Sequence, residues 1–392
     1  MRAFPVIKKI DKTIGSSFVL LLSRITKKSP RKHLGKKDVK NILIIKFGNI
    51  GDAVLTIPAI RATRKHFPKA RMVMVTSNRT KGLYKQYHYF NKIITIDLVE
   101  NKNLVKSAVN TSVNMIKLIL EVKKHKFDIA IDFESYSTFS AFLAFISGAD
   151  TRIGADIGYN HRKDLFTHTT PYFQDNRHEL DLYIDLISLI GIKTKNKKLE
   201  FNISKKDRQY ADQILKKNGF SKKRKLIAVH AGGNPDWMIK RWPKENFAKL
   251  IERISIKHSV NFILIGSSDE CSLNSRIIKL SKKNAANIAG KNTLNQMAAL
   301  ITKCNLFICN DSAPMHISAA VKTPVIALMG YVNPKRWGPY GKGHTALTNA
   351  SPDNPHWNGY MDINAELKQT PPVAVKDVIK AVDKQIAVLD NR

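Results

Sequence analysis

Short apolar runs, each closed by a polar turn and followed by a helix-forming stretch, recur along this chain and limit its fold more than any other feature. Ile42–Ile45 is one such run. It leads into Lys46-Phe-Gly-Asn-Ile-Gly-Asp52 and then into the helix-forming segment Ala53–Ile60. Pro58 is tolerable only near a helix's first turn, so that helix is expected to open close to it. Arg71–Val75, Lys92–Ile96 and Phe127–Ile131 read as further strands, with a long helix expected near 104–125. The rhythm resumes at Leu226–Val229, Asn261–Ile265, Leu306–Cys309 and Pro324–Leu328, with helices expected over Phe247–Ile254 and Leu294–Ile301. Buried strands alternating with helices predict parallel, doubly wound sheets of the α/β class.

A length of 392 residues fits two domains at about 150 residues each. The expected division is a basic extension over 1–40, a first domain over 41–192, a lysine-rich linker over 193–224, a second domain over 225–370 and a C-terminal helix over 371–392. Thr151–Gly191 is richer in His, Arg and Tyr and ends in a helix over Leu180–Leu189. The linker carries one helix near 205–218.

The formal net charge is +35. A surplus of that size attracts polyanions: nucleic acid, an anionic membrane surface or a phosphorylated glycolipid. Residues 1–40 hold twelve Lys and Arg against Asp11 and Asp38, and Ile7, Ile10, Ile14, Phe18, Leu21 and Ile25 recur at helical spacing. A basic amphipathic helix of this kind fits a membrane interface, and it fits equally a helix docked on the protein's own body. Phe18–Leu22 is too short to span a bilayer, and no signal peptide is expected. Cys271, Cys304 and Cys309 make no disulfide framework and lack metal-ligand spacing; small buried residues in a reducing compartment are the expectation.

Three polar turns follow strands, at the edge where open α/β sheets bind ligands, and together they point to a cleft between two domains. In the first, Gly48, Asn49 and Gly51 allow close backbone approach, and Asp52 stands at a helix start. Its carboxylate is either a general base or a helix cap. In the second, Gly232 and Gly233 follow the strand, and Lys240-Arg241-Trp-Pro243 precedes the next helix. Lys240 and Arg241 are either pyrophosphate ligands or two more surface cations. In the third, Asn310-Asp-Ser-Ala-Pro-Met-His316, unpaired N–H groups and the helix dipole favour a phosphate near Asp311, Ser312, Ala313 and His316. Asp269 and Glu270, beyond the strand ending at Ile265, are either ribose acceptors or helix caps. Arg152, Arg162, Arg177 and His178 are either anion ligands of the first domain or solvated cations.

Several motifs are missing. Gly-x-x-x-x-Gly-Lys-Ser/Thr, Gly-x-Gly-x-x-Gly after the first strand, Asp-x-Asp and zinc-spaced Cys/His pairs do not occur. These absences count against P-loop kinases, dinucleotide-dependent dehydrogenases and metal-diphosphate clamps. No metal and no cofactor is expected.

Taken in order, Lys46-Phe-Gly-Asn-Ile-Gly-Asp52-Ala-Val-Leu-Thr-Ile-Pro58, Lys240-Arg-Trp-Pro243 and Asn310-Asp-Ser-Ala-Pro-Met-His316 with Pro324 resemble glycosyltransferase family 9, the bacterial lipopolysaccharide heptosyltransferases. The resemblance runs from about Asn41 to about Tyr340. It implies a GT-B fold: two Rossmann-like domains facing a cleft, with the last helix crossing back to the first. It also implies an inverting transfer of heptose from ADP-heptose to the Kdo/heptose inner core, at the cytoplasmic face of the inner membrane. Asp52 matches the family's catalytic base, and Lys240 matches the lysine that stabilises the donor phosphate. Asp311, Ser312, Ala313 and His316 fall on the donor-binding turn. Ser312–Ala313 stands where the family usually has Thr-Gly or Ser-Gly, and Gly232–Gly233 replace hydroxyl residues. The implied partners are a nucleotide sugar, an anionic glycolipid acceptor and, through residues 1–40, an anionic membrane surface; nucleic acid is not among them. Two other readings remain open: a family member using another nucleotide sugar or an O-chain or capsule acceptor, and a non-catalytic polyanion-binding protein.

Overall fold

The computed structural model describes residues 38–96, 104–158, 161–172, 177–220, 224–234, 238, 240–330, 332–351 and 372–391. The expected extension over 1–40 lies outside the described residues up to position 37. The chain divides into two compact units, Met1–Lys197 and Lys198–Arg392.

The first unit carries β1 (Asn41–Lys46), β2 (Arg71–Ser77), β3 (Lys92–Ile96), β4 (Ile129–Asp132), β5 (Thr151–Asp156) and β6 (His168–Pro171). They form one sheet in the order β3-β2-β1-β4-β5-β6, and every pairing is parallel. β1 lies in the middle, with Ile44 opposite Met74 on one side and Ile131 on the other. Both faces of such a strand are covered, which explains an unbroken apolar run rather than an alternating one. Leu43, Ile45, Val73, Val75 and Ala130 sit at the centre of the core.

The second unit repeats the plan. Its strands are β7 (Lys225–His230), β8 (Val260–Leu264), β9 (Ala285–Asn287), β10 (Leu306–Asn310), β11 (Val325–Leu328) and β12 (Thr345–Leu347). The order is β12-β11-β10-β7-β8-β9, again all parallel. Counted from β7, this is the strand order of the first sheet. In both sheets the order reverses beside the unit's first strand, between β1 and β4 and between β7 and β10. That reversal opens a crevice at the strands' carboxyl ends.

Three expectations need correction. The helix after β1 spans Ile50–His66, so Pro58 lies two turns inside it. An interior proline costs roughly 3 kcal/mol. Burial along most of the helix's length, from Gly51 to Thr63, offsets that cost. The helix Lys205–Lys217 of the presumed linker packs on the second unit's helix Leu294–Thr302. The last helix, Val375–Asp390, buries Val378, Val382 and Ile386 in the second unit's core beside Trp242 and Phe247, rather than reserving its apolar stripe for the first unit.

Candidate active site

The first crevice is built around a buried lysine. Lys46 ends β1 and is 3% exposed. Its Nζ donates to Phe133 O at 3.3 Å, lies 3.5 Å from Glu134 Oε1, and stands 5.5 Å from the centre of the Tyr183 ring. Burial by itself would lower the lysine's pKa. The carboxylates of Glu134, Asp52, Glu179 and Asp132 outweigh it and hold the pKa above its ordinary value, so the ammonium stays charged. Gly48 N donates to Glu134 Oε1 at 2.5 Å, tying the turn after β1 to the turn after β4. A Cβ on Gly48 would lie 3.0 Å from that oxygen, so the close approach favours glycine.

Asp52 is half-buried in the first turn of the helix Ile50–His66. The cap of that helix is Asn49, which is exposed and makes no side-chain cap bond. Asp52 is therefore not the capping residue, although its charge still suits a helix N-terminus. Behind it, Asp132 accepts from Ser140 Oγ at 2.7 Å and from Arg162 Nη2 at 2.8 Å. Arg162 also donates to Ala155 O and Glu134 O, at 2.7 and 2.6 Å. It is fully buried, so the solvated-cation reading of Arg162 is wrong.

Gly48, Asn49, Gly51 and Asp52 thus share one turn, with Arg162 packed under it through Asp132 and Glu134. Arg152 and His178 have structural duties elsewhere. Arg152, on β5, donates to Leu165 O and Ala149 O at 2.8 and 2.7 Å. His178 caps the helix Glu179–Ser188, its Nδ1 accepting from Leu180 N. Arg177 pairs with Asp185 at 2.6 Å.

The second crevice is organised by hydrogen bonds to Asn310 and Glu270. Asn310, the last residue of β10, donates to Ala231 O and Gly232 O and accepts from Trp242 N at 3.0 Å. This fixes the turn after β7 and the Lys240–Trp242 loop to the turn after β10. Lys240 Nζ meets Asp311 Oδ2 at 2.5 Å and keeps 27% of its side chain exposed. Arg241 Nη2 donates to Gly233 O at 2.5 Å. Ser312 is the extended cap residue of the eight-residue helix Ala313–Ala320, and His316 is buried inside it.

Glu270 and Asp269 separate. Asp269 is exposed, whereas Glu270 is buried and closes a capping box with Ser267. Glu270 accepts from Gly233 N at 2.7 Å and Ser267 N at 2.9 Å, and its Oε2 lies 3.2 Å from His230 Nε2. Desolvation pushes its pKa up, but His230 and the two N–H groups together bring it down to about 2. A Cβ on Gly232 would lie 1.6 Å from Oε1, and one on Gly266 2.5 Å from Oε2. Both positions require glycine because Glu270 fills the space.

Four residues of these crevices had no role of their own in the sequence reading: Lys46, His230 and Asn310, which it placed only within motifs or turns, and Glu134, which it did not single out. Lys46, His230 and Asn310 each terminate a strand that flanks a reversal. Glu134 follows β4, and its value emerges only once β1 and β4 are known to be neighbours. Among the described residues, no group of three or more His, Cys, Asp or Glu side chains is placed to hold a metal ion. Among the same residues, no helix is long and apolar enough to cross a membrane.

Two parallel six-stranded sheets of identical order, each with polar turns at its reversal, are the architecture of the GT-B fold. The model of glycosyltransferase family 9 (heptosyltransferase) matches residues 115–359, and the chain belongs to that family. The lipopolysaccharide core heptosyltransferase OpsX of Haemophilus influenzae is 26% identical over 310 residues, covering 77% of this chain and 82% of the relative. A family 9 glycosyltransferase structure from Veillonella parvula superimposes with a TM-score of 0.73 at 22% identity, over 91% of this chain and 99% of that one. The E. coli heptosyltransferase WaaC with ADP gives a TM-score of 0.65 at 16% identity, over 88% and 99%.

Proposed function

We propose that this chain transfers the heptose of ADP-heptose to the Kdo/heptose inner core of lipopolysaccharide, with inversion at the anomeric carbon. The observation that carries the reading is the Asp52 carboxylate: it sits in the first helical turn of a doubly wound sheet, near a charged buried lysine, without serving as the helix cap. In this scheme Asp52 takes the proton from an acceptor hydroxyl. The hydroxyl oxygen bonds to the anomeric carbon as the bond to the diphosphate breaks, and ADP leaves. Charge on the departing diphosphate is met by Lys240, which exchanges Asp311 for phosphate, and by the helix start at Ser312–Ala313. Gly232, Gly233 and Arg241 complete the donor side. Gly48, Asn49 and Gly51 let the acceptor approach the backbone. The likeness to the lipopolysaccharide core heptosyltransferase OpsX and to WaaC with ADP supports the donor and the acceptor class.

Asp52→Asn tests the reading. With ADP-heptose and Kdo-lipid A, the substitution should lower the rate of ADP release about a thousandfold, within the usual range for a lost general base, and leave the fold intact by circular dichroism. A wild-type rate in the variant overturns the base assignment. The lipid-linked acceptor also gives the basic residues 1–40 a place, on the anionic cytoplasmic leaflet of the inner membrane, at about 1 kcal/mol per cation. Their deletion should abolish sedimentation with anionic vesicles; unchanged sedimentation counts against it.

A further inference from the structure

Two residues of the second crevice are left unused by that scheme, Glu270 and His230, and they connect to Ser312, which it does use. Glu270 Oε2 lies 3.2 Å from His230 Nε2, and His230 Nδ1 lies 3.1 Å from Ser312 Oγ. The histidine and the glutamate are each 5% exposed. Room for the glutamate exists only because positions 232 and 266 lack a Cβ. An ionised carboxylate only accepts hydrogen bonds, so it fixes a hydrogen on Nε2 and leaves Nδ1 to meet the serine. Ser312 Oγ has two protein acceptors within reach, His230 Nδ1 and Asn310 O, both at 3.1 Å.

We propose that His230 is a positioning residue that takes up a proton when the donor's diphosphate seats against Ser312. This rests on the donor reading given above. An incoming phosphate oxygen draws the Ser312 O–H toward itself. Nδ1 then faces a hydroxyl oxygen whose hydrogen has turned away. A proton from solvent on Nδ1 restores that hydrogen bond, now donated by the ring to Oγ, and Glu270 balances the imidazolium charge. The step adds one N–H bond, its proton supplied by solvent, and changes no bond between heavy atoms. The other charged or titratable groups of the surrounding elements are Asp311, paired with Lys240, Arg241, bound to Gly233 O, the exposed Asp269 beside Glu270, and His316 on the helix that Ser312 caps. When Lys240 exchanges Asp311 for phosphate, a carboxylate is released near the ring, which favours the same proton uptake.

Titration calorimetry of the full chain with ADP, in two buffers of different ionisation enthalpy, reads the uptake directly. The pH is set above the titration of ADP's own terminal phosphate. The wild type should take up close to one proton per ADP bound. His230→Gln and Ser312→Ala should each bind ADP about tenfold more weakly, as for one lost charge-assisted bond, with the uptake abolished. Glu270→Gln should lose most of the uptake per ADP bound, whatever its effect on affinity. A merely structural histidine would change affinity but not the proton count. Wild-type binding without uptake, or equal uptake in His230→Gln, overturns the inference and leaves the heptosyl-transfer reading standing. Failure of the wild type to bind ADP overturns both.

Discussion

The two sheets share one strand order, yet their crevices are stabilised in opposite ways. The first holds its charges out of water: Lys46 among carboxylates, and Asp132 against Arg162, with both partners fully buried. The second leaves its main cation partly in solvent and holds its turns through the Asn310 amide and through backbone N–H groups that donate to the buried Glu270. A buried ion pair is costly to desolvate and costly to break, so it resists rearrangement. The Lys240–Asp311 pair is partly exposed, at 27% and 12% of the two side chains, so it is less costly to break than a pair sealed from water. The same topology thus provides one rigid crevice, suited to keeping a carboxylate in place, and one exchangeable crevice, suited to gripping and releasing a phosphate.

The contrast predicts unequal responses to substitution. Arg162→Met strands Asp132 and should cost about 4 kcal/mol of unfolding free energy, measured by denaturant titration. Adding Asp132→Asn should recover part of that loss. If Arg162→Met is nearly neutral, the first crevice is not held by its ion pair. Gly232→Ala forces a methyl into the Glu270 carboxylate and should cost on the order of 3 kcal/mol, mostly in the second unit; full wild-type stability would mean that Glu270 is free to move. The smallest effect concerns acid. Glu270 titrates near 2 in the fold against an ordinary 4.5. Its contribution is complete above pH 4.5 and is lost as the pH falls from there toward 2, by on the order of 2 kcal/mol. Acid unfolding should therefore steepen in that window, and Glu270→Gln should flatten it.

The central strands were legible because burial on both faces leaves an unbroken apolar run, as in Ile42–Ile45 and Leu306–Cys309. β5 was not. Its sequence Thr-Arg-Ile-Gly-Ala-Asp carries a glycine where the Phe166 ring lies, so close that a Cβ would sit 2.3 Å away. β6, His-Thr-Thr-Pro, is an edge strand, where polar residues and proline are tolerated and the apolar signal fades. The turns bearing Asp52, Lys240 and Ser312 could be found because glycine and proline mark them locally. Lys46, Glu134 and His230 depend on which strands become neighbours, and pairing between strands distant in sequence leaves no local trace. Arg162 shows the same limit. In a chain this basic, one buried arginine looks like every exposed one.

Trp242 has a kinetic consequence. Its backbone N–H is held by Asn310, and its indole Nε1 donates to Val373 O at 2.7 Å. Lys240 stands two residues before this double anchor, so the exchange from Asp311 to a phosphate in the proposed scheme is a matter of side-chain torsions rather than of loop travel. Such rotamer changes run on the picosecond-to-nanosecond scale, whereas collective domain motions take microseconds to milliseconds. In the proposed scheme the swing of the lysine side chain is then fast compared with any collective motion. Whatever limits the enzyme's pace lies in steps slower than the swing of this lysine.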